Sequence, residues 1–403
     1  MIDLLAGVRV VDFTHVHAGP LCTYQLALMG ASVVKVEAPG SGDQMRGMGP
    51  QLAPGMSPGF LGQNANKRSI AVDIKHPTGL EIAHKLIELA DVLVLNMRPG
   101  TPDRLGIGYA ACKALNEKLV YCAISGYGQS GPESDRPAFD HLIQGESGMF
   151  MSTGTEEQPV RVGFAVADAG TAVIATSAIN AALLRRERSG QGAFLDVSML
   201  ESCMTLMGLN YYGYFATGRV GPRVGPQPLA QSGSAGTFET ADGALLMVNA
   251  NSHRLFERLA GAVGRRDLFE DERYSTPRAA QDNHVALRQT FAEIFKKESA
   301  LHWDGILREA GVPAGRAKGP AEVVTHPQLD HRSALTQLSN VPGTADGTLT
   351  MLNAGFTVDE MPTAATTPAP LLGEHSEEIL TELGYAQAAI DKLSQDAVIA
   401  CPA

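Results

Sequence analysis

One carboxylate stands apart in the stretch VGFAVADAGTAVIATSAINAALLRRERSG, residues 162–190. Between Arg161 and Arg185 the only ionisable side chain is Asp168, set among alanines, glycines and valines. Such a group has two uses. As a helix N-cap it accepts hydrogen bonds from the free amides of the first turn, a common reason for an aspartate ahead of an apolar run. Its other use is as a reacting carboxylate, with only the small residues Ala169, Gly170, Thr171 and Ala172 following it. A helix start favours the ionised form by about 0.3–1 kcal/mol, whereas burial opposes ionisation and makes the anion more reactive. Taken alone, the local sequence favours the cap.

The elements around it follow from periodicity. VRVVDFTHVHAGPLCTYQLALMGASVVKVEAPGSGD predicts a strand over Val8–Phe13, a turn at Ala18-Gly19-Pro20, a helix to Met29-Gly30 and a strand over Ala31–Glu37. Further strands are predicted at Ser69–Ile74, Asp91–Met97 and Leu119–Ser125, with an amphipathic helix over Pro77–Ala90. This alternation implies parallel pairing with right-handed crossovers, hence a doubly wound α/β domain. Val16, His17 and Ala18 fall just past the first strand, where open α/β sheets bind ligands. His17 can donate a hydrogen bond there with a charge that varies with pH; a satisfied turn histidine is the plainer alternative. No G-x-G-x-x-G follows the first strand, only Gly19, so a Rossmann-like shape is expected without NAD.

Past Asp168, Arg185, Arg186 and Arg188 complement a helix C-terminus, and Gly190 suits the position after it. The Gly-, Pro- and Arg-rich segment Thr217–Thr237 reads as a linker, and residues 237–325 as a smaller domain. That domain holds a strand at ALLMVNA and helices near 253–263, 283–297 and 301–311; the remaining tail ends in a helix at SEEILTELG.

Among 403 residues, 44% are hydrophobic and 19% charged, enough for about two to three globular domains. A net charge of −11 argues against generic binding to nucleic acid or anionic membrane, though it allows a local basic pocket. No basic, apolar leader is apparent at the N-terminus, and no apolar run of about 18 residues lacks polar interruption, so no membrane span is expected. Cys22, Cys112, Cys122, Cys203 and Cys401 lack metal-ligand spacing, which points to free thiols, a cytoplasmic setting and no bound metal.

Five blocks, in order, carry a resemblance: VVDFTHVHAGPLCTYQLALMGASVVKVEAPGSGD, NKRSIAVDIKHPTG, NMRPGTPDRLGIGY, GFAVADAGTA and APLLGEHSEEIL. Together they resemble the class III CoA-transferases, the formyl-CoA transferase, carnitine dehydratase and bile-acid-inducible protein family, over nearly the whole chain. The resemblance implies an α/β fold with a large Rossmann-like domain built from both chain ends and a smaller domain between. Residues 1–216 would form its N-terminal part, 217–325 the linker and small domain, and 326–403 the returning segment. Two subunits would interlock as rings.

The implied activity moves CoA from an acyl-CoA to a small carboxylic acid. Asp168 would be the nucleophile, passing through an aspartyl anhydride and an aspartyl-CoA thioester. His17 stands where the family often has glutamine. The resemblance places Val16, His17, Ala18, Ala38, Val72, Asp73, Ile74, Lys75, Asn96, Met97, Arg98 and Arg104 along the CoA path. Lys75, Arg98 and Arg104 would meet phosphates and Asn96 the pantetheine; Ala38 cannot offer the arginine that formyl-CoA transferase turns to the adenine. Arg136, Pro137, Phe139 and Asp140 continue the path. Gly233 and Gly236, in QSGSAGTF at 231–238, resemble a loop closing over the intermediate. Phe139 stands where the racemase branch resembles a histidine pattern, and phenylalanine carries no proton. An α-methylacyl-CoA racemase or a non-catalytic acyl-CoA-binding protein is the alternative.

Overall fold

A computed structural model describes residues 2–227 and 232–401. The chain forms two compact units, one from residues up to 149, 162–217 and from 327 on, the other from 150–161 and 218–326. Unit one begins with β1 (Arg9–Phe13), α1 (Ala18–Leu28), β2 (Ser32–Glu37), α2 (Pro58–Asn64) and β3 (Lys67–Val72). It continues through α3 (Pro77–Glu88), β4 (Val92–Leu95), α4 (Thr101–Arg104), α5 (Tyr109–Leu115), β5 (Val120–Ser125) and α6 (Asp140–Glu146). The chain leaves it at α7 (Met149–Ser152) and returns with α8 (Val166–Ser189), β6 (Ala193–Ser198), α9 (Met199–Leu206) and α10 (Gly208–Thr217).

Its seven-stranded sheet runs from a short strand, Ile399–Ala400, through β3, β2, β1, β4, β5 and β6. All neighbours are parallel except Ile399–Ala400, which lies antiparallel to β3 through Ile399 opposite Val72 and Ala400 opposite Ala71. The parallel α/β sheet expected from the alternation is therefore present. Every residue of β4 (VLVL) and β5 (VYCAIS) is buried, the pattern of strands covered on both faces. β3 starts at Lys67, two residues before the apolar run, because Lys67 is itself buried and ion-paired. It stops at Val72 because Asp73 turns the chain, its Oδ1 accepting from the Lys75 amide at 3.0 Å.

The strand order decides where a ligand can sit. From β1 the chain winds outward to β2 and β3, then restarts on the other side at β4 and continues to β5 and β6. The connections after β1 and β4 therefore diverge and open a crevice at the carboxyl ends of the two central strands.

α8 is long and apolar enough to cross a bilayer, which the polar interruptions in its sequence concealed. Its apolar side is spent in the core instead: Ala172, Ala175 and Ile179 pack with Cys22 and Leu26 of α1. Small side chains let the two helices approach closely. Gly190 ends α8 in the left-handed region, at φ +71°, and Arg186 in the last turn pairs with Asp91 at 2.8 Å.

Unit two contains an antiparallel sheet of β7 (Ala235–Glu239), β8 (Leu245–Asn249) and β9 (Ala314–Arg316). Helices His253–Ala262, His284–Phe295 and Ala300–Glu309 bury Phe256, Phe291, Phe295 and Trp303 against it. Residues 150–161 join this unit through Arg223, which donates to the carbonyls of Met151, Thr155 and Glu156.

Candidate active site

The crevice holds a cavity of about 330 Å³. His15–Ala18 reach it from the end of β1, Asn96–Arg98 from the end of β4, and Ser125 and Gly126 from the end of β5. Arg136, Pro137 and Phe139 close one side, and Asp168 projects from the first turn of α8.

The turn after β1 is held from beneath. Val16 lies in the left-handed region, at φ +69°, which for a β-branched residue costs on the order of 1–3 kcal/mol. Fully buried Asp43 pins it: one carboxylate oxygen accepts from the amides of Val16 and Met45, both at 2.9 Å. The other oxygen lies 2.9 Å from Lys35 Nζ, which also donates to the Thr14 carbonyl at 2.7 Å. Burial disfavours charge on both groups, but the surrounding carboxylates hold the Lys35 pKa above the usual lysine range, and Lys35 holds that of Asp43 below the usual carboxylate range. Asn96 clamps the same turn from β4, accepting from the His15 amide at 2.9 Å and donating to the His15 carbonyl at 2.7 Å. Gly19 closes the turn because a Cβ there would collide with the Thr14 side chain.

Asp168 is not the cap of its helix, and the local reading that favoured a cap is corrected here. Ala165 occupies the N-cap position, and the acceptor comes from α6. Asp140 Oδ1 accepts from the Ala167 amide at 2.7 Å and the Asp168 amide at 3.4 Å, while its Oδ2 accepts from Gln144 at 2.7 Å. A borrowed cap leaves the Asp168 carboxylate facing the cavity. Burial raises its pKa, the positive charge of His17 pulls it down and Asp140 pushes it up, leaving it at about 6. A carboxylate poised near neutrality in a cleft is characteristic of reacting groups.

His17 completes the pair, half-buried at the start of α1 with Nδ1 2.7 Å from Gln63 Oε1. His15 lines the same cavity with its Nδ1 buried and no hydrogen-bond partner, and burial lowers its pKa.

The cavity wall thus gathers Val16, His17, Ala18, Asn96, Met97, Arg98, Arg136, Pro137, Phe139 and Asp168. Ala38, just past β2, and Val72, Asp73, Ile74 and Lys75, at the end of β3, lie outside that wall, as does Arg104 on α4. Among the described residues, Lys75, Arg98 and Arg104 have no ion-pair partner, whereas Arg136 is held by Glu146 at 2.9 Å and Glu133 at 3.3 Å. Phe139 is 61% exposed at the cavity rim rather than packed in a core. Asn96 already spends both ends of its amide on His15, and Asp140 serves as the α8 cap. Gly233 and Gly236 lie in unit two, both buried: a Cβ at 233 would press on the helix His284–Phe295, and one at 236, at φ +137°, would strike Gln227 and Arg288. Gln231 falls outside the described residues. Sequence reasoning missed His15, Ser125, Gly126 and Met199 in the wall and Gln63 and Asp43 behind it. The repeated histidine of His15-Val16-His17 was the available signal for the first.

Comparison with known proteins places the chain in a family. Residues 5–376 match the family described as CoA-transferase family III, and the chain belongs to that family. It is 34% identical over 401 residues to succinyl-CoA:glutarate CoA-transferase of Mus musculus, covering 98% of this chain and 90% of the relative. It is 33% identical over 386 residues to succinate–glutarate CoA-transferase of Agrobacterium fabrum, covering 94% and 95%. It is also 34% identical over 337 residues to acetyl-CoA:oxalate CoA-transferase of Acetobacter aceti, covering 83% and 86%. Among solved structures, a CAIB/BAIF family protein from Brucella suis superimposes with a TM-score of 0.83 at 30% identity, covering 94% of this chain and 99% of that one. The protein is therefore a family III CoA-transferase.

Proposed function

We propose that this enzyme moves CoA between a dicarboxylic acyl-CoA and a small carboxylic acid, with Asp168 as the nucleophile. The observation that carries the reading is Asp168 itself, freed from capping by Asp140 and presented with His17 at the carboxyl ends of the central strands. The Asp168 carboxylate attacks the thioester carbonyl; the C–S bond breaks, CoA leaves as thiolate, and a mixed anhydride forms. The thiolate then attacks the aspartyl carbonyl and the C–O bond breaks, giving aspartyl-CoA thioester and the first acid as carboxylate. The acceptor carboxylate repeats these steps in reverse order, so neither protons nor electrons are consumed. His17 donates to the carboxylates and to the oxyanions between them. Lys75, Arg98 and Arg104 hold the phosphates of CoA, which their lack of acidic partners supports. The acids named in the relatives, succinate, glutarate and oxalate, support a dicarboxylic substrate class.

The working form is a homodimer in the cytoplasm. Unpaired cysteines suit a reducing compartment. The exposed apolar side chains Leu209, Tyr212 and Phe215 of α10 suit burial against a second subunit. Racemisation is disfavoured, because Phe139 lines the cavity while His141, the nearest histidine in sequence, is exposed and outside the wall. The test is covalent. Wild type incubated with succinyl-CoA and quenched with hydroxylamine or borohydride should carry the modification on the peptide containing Asp168. Asp168→Ala should fold, bind acyl-CoA and lose transfer; retained transfer in that variant overturns the reading.

A further inference from the structure

His17 is a cavity residue whose chemistry depends on which ring nitrogen carries hydrogen, and the structure fixes that through a residue outside the cavity. Gln63 sits in the last turn of α2, 7% exposed. Its Nε2 donates to the Gly59 carbonyl, one turn earlier, at 3.0 Å. A carbonyl only accepts, so the amide can have only one orientation, with Oε1 toward His17. Oε1 also only accepts, and it lies 2.7 Å from His17 Nδ1. Nδ1 must therefore carry the hydrogen, and Nε2 is the nitrogen left for the cavity that Asp168 lines.

We propose that Gln63 is a positioning residue that locks the tautomer of His17, so that His17 donates a hydrogen bond to a reacting carboxylate only as the imidazolium. The proposal rests on the transfer reading above. In the locked neutral ring, Nε2 holds a lone pair and repels a carboxylate or oxyanion; a second proton converts it to a donor. A glutamine at position 17 would offer an N–H at every pH. The titratable and charged groups lining the same cavity are Asp168 on α8, His15 before α1, Arg98 after β4 and Arg136 beside Phe139, with Asp140 behind the start of α8. The enzyme thereby couples use of an anionic acceptor to proton uptake on one ring.

Two measurements test this. In protein labelled with ¹⁵N-histidine, the His17 signals, identified by their absence in His17→Gln, should show a neutral ring protonated on Nδ1, and Gln63→Met should shift them toward the other tautomer. A neutral ring protonated on Nε2 in wild type, or one unmoved by Gln63→Met, overturns the proposal. In steady-state transfer, kcat/KM for the acceptor acid should fall about tenfold per pH unit on the alkaline side. Gln63→Glu, which places a carboxylate on Nδ1, should displace that limb upward by about one pH unit. In a His17→Gln background the limb should vanish and Gln63→Glu should leave the profile unchanged; the same displacement in both backgrounds overturns the role. Absence of transfer in wild type would refute the proposed function, while the spectra would still report the tautomer.

Discussion

At Asp168 the needs of folding and of reaction oppose each other. The carboxylate is drawn from water into a wall of small residues, next to Asp140, with His17 as compensating charge. Its pKa in the fold stands above the ordinary value of 3.8, at about 6. The folded state therefore binds its proton more tightly than the unfolded chain does, and stability is lost as pH rises through that window. Removing the charge should stabilise the protein wherever the carboxylate would be ionised. Asp168→Asn is expected to gain about 1–2 kcal/mol at pH 7.5, once solvent screening and the lost helix-dipole term are discounted, and to gain nothing near pH 4. Thermal melts at the two pH values check it; equal melting temperatures for wild type and variant at pH 7.5 would mean the fold bears no cost at this residue. The same variant should lose transfer, the exchange of stability for activity expected of a reactive site.

At the scale of elements, the turn from Thr14 to Ala18 rests on a buried polar network, through Asp12, Lys35 and Asp43. Asp12, Lys35, Glu37, Asp43, Arg46 and Lys67 are all nearly inaccessible, three of each sign, and joined by ion pairs of 2.7–3.0 Å. Lys35→Met would leave Asp43 buried without its cation and the Thr14 carbonyl without its donor. The expected loss is about 3–5 kcal/mol in urea unfolding, the penalty for half of a buried pair, with a raised KM from a relaxed Val16–His17 turn. A loss under about 1 kcal/mol would show that Asp43 and Asn96 hold the turn without the Lys35 cation.

This network also marks the limit of what the sequence disclosed. The βα alternation made the parallel sheet legible, and the end of its first strand pointed to Val16, His17 and Ala18. Lys67 at the start of β3 and Lys35 inside β2 carry no sign in the sequence that they are buried, because no local pattern reveals a partner 55 or 8 residues away. The capping of α8 was hidden for the same reason: its acceptor, Asp140, lies 27 residues before the amide it serves. Gln63 reaches His17 across 46 residues. Pairings made by tertiary geometry leave no periodic trace.

For the whole molecule, the feature that a single chain leaves unresolved is α10. None of its ten residues is buried, and Leu209, Tyr212 and Phe215 are 82%, 69% and 67% exposed. Their spacing of three puts them along one side of the helix, so they form a connected apolar stripe rather than scattered contacts. Covering three such side chains contributes about 1.5–3 kcal/mol each, enough to make association strong even after the entropy of joining two chains is met. With the interlocked architecture that the family resemblance implies, separation would also require partial unfolding. Sedimentation should therefore show one dimeric mass that persists on dilution to the lowest measurable concentration. Leu209→Glu combined with Phe215→Glu should break it, giving monomer or aggregate with loss of transfer, because a charge on each side of the interface meets its own copy across a symmetric contact. A well-folded, active monomer from wild type would show instead that the α10 stripe faces solvent in the working enzyme and that one chain supplies a complete site.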